Sequence, residues 1–300
     1  MAITAAMVKE LRQRTGAGMM DCKKALVEKD GDLEEATLFL QKKGMAGAAK
    51  KAGRTAAEGL VATFSSADQK SAVLIEINCE TDFVARNDAF QNFVKEAGNL
   101  ALSSGAKDIA ALKATLRADG QSVEDWTSTV ISSIGENIKL RRLMRIDSPE
   151  GVVGSYIHAG SQIGVLVDVK VSSASDEDAS GFARNVAMHV AATNPQVVSP
   201  EDIDEAVSAK QKEIFIGQSI EMGKPPAIAE KIVVGRMRKW QSEVSLVKQP
   251  YVKEPDMTVE KYATQVGGVS VKSFVRYQVG EGIEKAKSDL AAEVAAQLNN

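Results

Sequence analysis

The sequence predicts an α+β protein built from two similar halves with antiparallel sheets, to which separate helical parts are added. Helical periodicity before residue 54 changes to strand-like runs after residue 59. A strand–turn–strand–loop–helix unit then occurs twice, which indicates an internal repeat. We therefore expect a small N-terminal three-helix domain, a core of two repeated α+β halves, an inserted antiparallel helical hairpin and a C-terminal helix.

Three short helices are expected in residues 1–53. Thr4 is a suitable N-cap for the first helix. Gly16 and Gly18 end that helix, because glycine adopts backbone angles that other residues resist. Asp32, with an acid three residues later, is typical of the start of the third helix.

The second helix places Met19, Cys22 and Leu26 on one face, which predicts that Met19 belongs to the core. Met19 and Met20 cannot both point inward easily. A second interpretation therefore stays open, in which one of the two methionines is an exposed contact, a role that suits this adaptable side chain.

Residues 42–54 contain five positive charges and no acid. This composition predicts a mobile, solvated linker. An RNA-binding patch that includes Lys50 and Lys51 is the alternative, although the stretch lacks the aromatic residues on which bases stack.

The first half begins with two strand-like runs, GLVATFS and SAVLIEIN, and continues into a helix whose apolar face includes Phe90 and Val94. The same unit returns 92 residues later without a gap. Phe90 then aligns with Phe182, and Val94 aligns with Val186. The packing residues are present in both copies, which indicates a diverged repeat.

The connection between sheet and helix differs between the two copies. Residues 81–83, Thr-Asp-Phe, align with residues 173–175, Ser-Ala-Ser. The unit can therefore be built without an aromatic side chain here, which makes Phe83 a candidate for partner contact. The alternative is that Phe83 fills a gap peculiar to the first half. Residues 86–88 predict a polar connection and a helix cap.

A further helix is expected between the halves, with an apolar face formed by Val123, Trp126, Val130 and Ile134. The strand that follows contains the basic residues Arg141, Arg142 and Arg145. A solvated strand face is the favoured interpretation of this run, and RNA contact is the alternative.

The insertion predicts two antiparallel helices that pack like a short coiled coil. Ser199-Pro200 is typical of an N-cap followed by proline at the first helical position, and MGKPP turns the chain. Each arm of roughly twenty residues spans about 30 Å. Such a hairpin either contacts another protein or folds back over the sheet. Its apolar stripe consists of Ile203, Val207, Ile214, Ile228, Ile232 and Met237.

Beyond the insertion, TVEKYATQVG predicts a helix, residues 271–280 a strand and residues 282–298 a terminal helix. The predicted parts are an N-terminal helical domain (1–54), a first core half (55–147), a second core half (148–198 and 243–278), the hairpin insertion (199–242) and a C-terminal module (279–300).

The composition is that of a globular protein, with 300 residues, 44% hydrophobic and 26% charged. The net charge of -3 does not favour a nucleic-acid partner. No secretory signal pattern or membrane-length apolar run is present, and the two cysteines are far apart. We therefore expect a cytoplasmic protein without membrane contact.

Enzyme chemistry is not predicted. The two histidines, His158 and His189, lie in unrelated segments. A phosphate-binding loop, a zinc-binding HExxH and a nucleophile elbow are all missing from the sequence. We expect no catalytic residue, no cofactor and no metal site.

Five long motifs closely resemble the bacterial elongation factor Ts family, and the match extends over nearly the whole chain. They are MVKELRQRTGAGMMDCKKAL (7–26), CETDFVARNDAF (79–90), GSYIHAGSQIGVLV (154–167), AMHVAATNP (187–195) and VGEGIEK (279–285). The resemblance implies a guanine-nucleotide exchange factor for elongation factor Tu, binding its GDP-bound and nucleotide-free forms. It also implies an N-terminal domain of the UBA-like kind.

By this resemblance, Thr81, Asp82, Phe83 and Val84 dislodge the magnesium ion of the partner. The helical hairpin serves dimerisation, and the last helix returns to the GTPase domain of the partner. We expect no direct nucleic-acid contact. Met19, Met20 and His158 are further candidates for partner contact.

One residue departs from the family pattern: Glu80 stands where glutamine is common, and it adds a negative charge next to the motif. The alternative function from another class is an RNA-binding protein of the translation machinery, which would use Lys50, Lys51 and the arginine run.

Overall fold

The computed structural model of the protein describes residues 2–284. Its contacts divide the chain into two compact units. The first comprises the residues up to Ala62, Ile75–Met144 and the residues from Gln278 onward, and the second comprises Thr63–Leu74 and Arg145–Tyr277. The helix predicted at 282–298 lies almost entirely outside the described residues.

The three predicted N-terminal helices are present, at Ala5–Thr15 (α1), Met19–Glu28 (α2) and Leu33–Lys51 (α3). The Thr4 hydroxyl accepts the backbone N–H of Met7 at 3.3 Å, as expected of an N-cap. Gly16 ends α1 in the left-handed region with φ 67°, and Asp32 caps α3 by accepting two backbone N–H groups. The core of this bundle consists of Leu11, Cys22, Ala25, Leu26, Ala36 and Leu40.

The interpretation of residues 42–54 as a mobile linker is wrong, because α3 continues to Lys51. This helix packs against α7, which spans Val123–Ile134. Gly44 lies at the contact, where an added methyl group would be 3.7 Å from the Ser128 carbonyl oxygen. Alanine and lysine are good helix formers, and the buried side of α3 explains why the basic stretch is ordered.

The first sheet has the strand order β1–β2–β3, formed by Glu58–Ser65 (β1), Ser71–Cys79 (β2) and Lys139–Asp147 (β3). Between β2 and β3 the chain forms a single turn, Asp82–Ala85 (α4), and the helices Asp88–Ser104 (α5), Ile109–Ala114 (α6) and α7. Phe90 and Val94 of α5 are buried, as their spacing predicts.

The predicted apolar face of α7 is correct at Val123, whereas its other residues are only half-buried. The buried positions are Val123, Thr127 and Ile131, and the half-buried ones are Trp126, Val130 and Ile134. Thr127 can occupy a core position because its hydroxyl donates to the Val123 carbonyl at 2.7 Å. Trp126 instead contacts Phe93 edge to face, with 4.5 Å between ring centroids.

The second sheet has the order β4–β5–β8, formed by Gly151–Ile157 (β4), Ile163–Val171 (β5) and Val269–Gln278 (β8). β4 and β5 are antiparallel, with Val152 opposite Val169. The helix Asp176–Thr193 (α8) packs on both strands, and Val259–Val266 (α11) packs on α8. A short antiparallel pair, Pro250–Tyr251 (β6) and Glu254–Thr258 (β7), precedes α11.

The element boundaries confirm the internal repeat, since β5 begins and ends 92 residues after β2. Each aligned packing pair is buried in both copies. The pairs are Val73 with Val165, Leu74 with Leu166, Ile77 with Val169, Phe90 with Phe182, and Val94 with Val186. Together with the antiparallel pairing, this confirms the predicted α+β fold.

The hairpin is present as Glu205–Glu221 (α9) and Pro226–Val244 (α10). Its first α-helix begins later than predicted, because Ser199 and Asp202 cap a separate short 3₁₀ turn at Pro200–Asp202. The residues buried along the two arms are Ser219, Ala229, Val233 and Val244. Much of the predicted apolar stripe is instead exposed, at Val207, Ile214, Ile228 and Ile232.

The basic run on β3 is not a solvated strand face. Arg141 and Arg142 form ion pairs with the fully buried carboxylate of Glu76, at 2.8 Å and 2.5 Å. Burial alone raises the pKa of Glu76. Hydrogen bonds from the Gly280 N–H, Arg141, Asn78 and Arg142 outweigh burial, so the net pKa lies below its ordinary value.

This charged cluster also anchors the last part of the described chain. The N–H of Gly280 donates to Glu76 at 2.8 Å, and Arg142 donates to the Gln278 carbonyl at 3.0 Å. Gly280 has φ 69°, and a methyl group there would lie 2.3 Å from the Ala57 carbonyl oxygen. Only glycine fits this position.

We expect Gly280→Ala to destabilise the protein more than Gly282→Ala. Both positions have positive φ, but Gly282 has nothing closer than 3.9 Å to an added methyl group. The overlap with Ala57 should lower the free energy of unfolding by about 2 kcal/mol more at Gly280. Urea unfolding at pH 7 measures this difference, and equal losses in the two variants would contradict the close packing.

Candidate functional site at the turn of residues 81–85

The segment after β2 folds into a single helical turn that is closed at both ends. The Thr81 hydroxyl caps the turn by accepting the N–H of Val84 at 3.3 Å. At the other end, the N–H of Arg86 donates to the carbonyls of Asp82 and Phe83 at 3.2 Å. Ala85, the last residue of the turn, is buried. The backbone of this segment is therefore fixed before any partner binds.

Phe83 is the prominent side chain of this turn, with 81% of its surface exposed. It does not fill a gap in the first half, so that alternative is wrong. Burying a phenylalanine side chain is worth about 1.5–3 kcal/mol. An exposed aromatic ring on an ordered backbone is a suitable anchor for another protein.

Charged and polar side chains complete the outer part of the turn. Arg86 forms an ion pair with Asp82 at 2.9 Å, and both side chains are exposed. Such a pair contributes less than about 1 kcal/mol, so Asp82 can exchange it for a partner group. Asn87 caps α5 by accepting the N–H of Ala89 at 2.8 Å, which confirms the predicted cap.

The base of the turn is held by the carboxylate of Glu136, just beyond the end of α7. One oxygen of Glu136 accepts the N–H groups of Glu80 and Thr81, each at 3.0 Å. The other oxygen accepts the Thr81 hydroxyl at 2.6 Å. Three donors from two consecutive residues thus converge on one charged acceptor, which strengthens each hydrogen bond.

Glu80 contacts the interior of the same region. Its carboxylate accepts the N–H of Asn137 at 2.6 Å and is paired with Arg54 at 3.4 Å. A glutamine at this position would have the same kind of acceptor oxygen for the Asn137 N–H. The extra charge of Glu80 is balanced by Arg54.

Asn137 connects this region to the end of the N-terminal helices. Its buried side-chain amide donates to the carbonyls of Arg54 at 2.7 Å and Ala52 at 3.4 Å. Three stretches that are distant in sequence, residues 52–54, 80–81 and 136–137, are therefore joined by hydrogen bonds.

Cys79 lies at the end of β2 and is buried. Burial, followed by the negative charges of Glu136 and Glu58, raises the pKa of its thiol to about 12. The protonated thiol donates to the Thr81 carbonyl at 3.2 Å. Cys79 is thus part of the structural support of the turn and is not a reactive thiolate.

The structure brings Thr81, Asp82, Phe83 and Val84 together in one turn, as their adjacency implies. The core interpretation of Met19 is wrong, because Met19 and Met20 are 58% and 64% exposed at the start of α2. Both therefore belong to the surface of the first unit.

His158 belongs to the second unit, where it follows β4 and is exposed. Its Nδ1 atom lies 3.2 Å from the Tyr156 hydroxyl. That contact orients the imidazole on the surface of the second unit.

Sequence analysis missed Glu136 and Asn137. The one nearby sequence feature that points to this region is Gly135, which ends α7 with φ 91° and directs the chain away from the helix axis. Glu136 is 55 residues from Thr81, so no local pattern relates the two.

In the range 2–284, the structure contains no group of three or more His, Cys, Asp or Glu side chains arranged to hold a metal ion. No helix in that range is both long and apolar enough to cross a membrane.

Comparisons with known proteins agree with the sequence motifs. A family model described as "Elongation factor TS" matches residues 80–281. The chain is 52% identical over 305 residues to "Elongation factor Ts" of Rhizobium meliloti (strain 1021), covering 99% of each chain. It is 49% identical over 296 residues to "Elongation factor Ts" of Hydrogenovibrio crunogenus, covering 99% of this chain and 98% of the relative. A relative from Idiomarina loihiensis with the same name is 50% identical over 298 residues.

Proposed function

The chain belongs to the elongation factor Ts family and is a translation elongation factor, and we propose that it acts as the guanine-nucleotide exchange factor of elongation factor Tu. It binds the GDP form of that GTPase, weakens the hold on magnesium and promotes GDP release. The observation that supports this most directly is the 81% exposure of Phe83 on a turn with an ordered backbone.

The proposed mechanism uses insertion of a side chain and requires no bond-making by this chain. Magnesium in a GTPase bridges protein oxygens and the nucleotide phosphates, and it demands near-ideal octahedral geometry. Insertion of Phe83 between elements of the partner displaces groups that support this geometry. Asp82 lies next to Phe83 and can accept a hydrogen bond from, or repel, groups around the metal.

The energy for this displacement comes from burial of the Phe83 ring. About 1.5–3 kcal/mol from that burial corresponds to roughly a ten- to hundredfold change in an equilibrium constant. By thermodynamic reciprocity, a factor that weakens GDP binding is itself bound less tightly when GDP is present. The nucleotide-free partner is therefore the form that binds this protein most tightly.

The proposed function needs only contact with another protein. The protein acts without a cofactor and is not an enzyme in the sense of making or breaking covalent bonds. It recognises another protein and has no direct contact with nucleic acid. The ion pairs of Arg141 and Arg142 with Glu76 support the absence of nucleic-acid contact. A nucleic-acid phosphate would have to compete with the buried Glu76 carboxylate for these two arginines.

Phe83→Ala should slow GDP release from elongation factor Tu by about tenfold or more at a fixed factor concentration, because the burial energy is lost. The variant should remain folded, since the ring is exposed in the free protein. Stopped-flow release of a fluorescent GDP measures the rate. Leu116→Ala removes another exposed apolar side chain and is the matched control. Equal rates for Phe83→Ala, Leu116→Ala and the unmodified protein would exclude Phe83 from the mechanism.

The hairpin supports a second part of the proposal, that two copies of the chain associate through α9 and α10. Val207 and Ile214 are one heptad apart on α9, and both are exposed. Ile228 and Ile232 are one helical turn apart on α10 and are also exposed. An apolar surface of this kind on an antiparallel hairpin is suited to self-association.

Ile214→Asp should shift the protein from dimer to monomer in sedimentation velocity experiments over a range of concentrations, because it places a charge in the apolar contact. Ala209→Asp adds the same charge at an exposed position five residues earlier on α9, on a different face, and should leave the association unchanged. Identical sedimentation of both variants and the unmodified protein would contradict dimerisation through this surface.

A further inference from the structure

We propose that Glu136 is a positioning residue for Phe83, and that Asn137 links the turn of Phe83 to the end of α3. Glu136 and Asn137 both lie outside the Thr-Asp-Phe-Val motif that contains the exposed ring. The effect of Glu136 on nucleotide exchange rests on the proposed function. The effect of Glu136 on the order of the turn is independent of the proposed function.

The turn α4 is weak on its own. A single helical turn of four residues, Asp82–Ala85, has few internal hydrogen bonds, and helix nucleation in isolation is unfavourable. Its order must therefore come from contacts outside the turn. Glu136 supplies these contacts at the residues that precede the turn.

The Thr81 hydroxyl has a fixed direction. This group donates a hydrogen bond to the Glu136 carboxylate at 2.6 Å, which leaves an oxygen lone pair to accept the N–H of Val84. A hydroxyl without the carboxylate acceptor is free to rotate and to leave the capping position. Glu136 thus fixes the cap that begins the turn.

Two carboxylates, those of Glu80 and Glu136, each accept a backbone N–H from the other's stretch of chain. Glu136 accepts the N–H of Glu80, and Glu80 accepts the N–H of Asn137. The end of β2 and the chain beyond α7 are therefore tied in both directions. Neither stretch can shift along the other without breaking charge-assisted hydrogen bonds.

Asn137 and Arg54 extend this connection to the end of the N-terminal helices. The Asn137 amide donates to Ala52 and Arg54, and the Arg54 guanidinium pairs with Glu80. A displacement of residues 52–54 therefore changes two partners of the residues that support the turn. The N-terminal helical domain and the Phe83 turn are coupled through this junction.

For exchange, this arrangement affects the maximum rate more than the affinity. The other exposed surfaces of the protein remain intact when the turn loses order. The factor should therefore still bind its partner, but Phe83 would occupy the inserted position for a smaller fraction of the time.

The first measurement tests the turn without any partner. Hydrogen–deuterium exchange of the peptide covering residues 79–88 should become about tenfold faster at the Glu80 and Thr81 amides in Glu136→Gln. The amide side chain keeps one acceptor oxygen but presents an NH₂ group to donors. Glu124→Gln, an exposed change on α7, is the matched control and should leave the peptide unchanged. Unchanged protection in Glu136→Gln would overturn the inference.

The second measurement is a double-mutant cycle in stopped-flow GDP release. Glu136→Gln should lower the maximum rate about fivefold or more, with less than about a twofold change in the half-saturating concentration. In a Phe83→Ala background the same substitution should have almost no further effect, because Glu136 acts through Phe83. An equal loss in both backgrounds would show that Glu136 does not act through the aromatic ring.

Two further variants keep the inference testable if Glu136→Gln does not fold. Thr81→Val removes the hydroxyl at nearly constant volume and should reproduce the loss of amide protection and rate. Thr81→Ser keeps the hydroxyl and should retain both the amide protection and the GDP release rate. A residue that only filled space would not give this result, because serine is smaller than threonine. Loss of amide protection in Glu136→Gln or Thr81→Val, together with GDP release by Phe83→Ala at the rate of the unmodified protein, would contradict the proposed exchange mechanism. The same combination would leave the positioning of the turn by Glu136 established.

Discussion

The three hydrogen bonds that converge on the carboxylate of Glu136 hold the residues from which the proposed contact turn of Phe83 begins. They fix the residues before a single helical turn, and the turn in turn presents Phe83 to solvent. The ring of Phe83 is 81% exposed, so it is held away from the core on an ordered backbone. We propose that the Glu136 carboxylate thereby keeps this ring in position to contact another protein.

The repeated fold explains how such an element can exist without weakening the core. Both copies bury equivalent residues in their strands and helices, so the stability of each half does not need the connection between sheet and helix. The second copy has small residues in that connection, and the first copy has the Thr-Asp-Phe sequence. The site is built on the end of one strand and the end of one helix, which are more rigid supports than a loop.

Local signals in the sequence predicted much of the fold. Thr4 and Asp32 cap the helices expected of them, and the spacing of Phe90 and Val94 identified the buried face of α5. The linker interpretation of residues 42–54 is wrong because helix propensity and packing against α7, a helix distant in sequence, outweigh the effect of the positive charges. Similarly, the exposure of Phe83 could be argued from the repeat, whereas its support by Glu136 depends on a contact across 55 residues.

We propose that Phe83 enters the GTPase domain of elongation factor Tu near the nucleotide. Site-specific replacement of Phe83 by a photoreactive benzoyl-phenylalanine, followed by irradiation and mass spectrometry, tests this contact directly. The account predicts cross-links to GTPase-domain segments that surround the magnesium and phosphates. A control probe at the exposed Leu116 should give no such cross-links. Cross-links from position 83 only to other domains of the partner, or none while the complex is intact, would contradict the account.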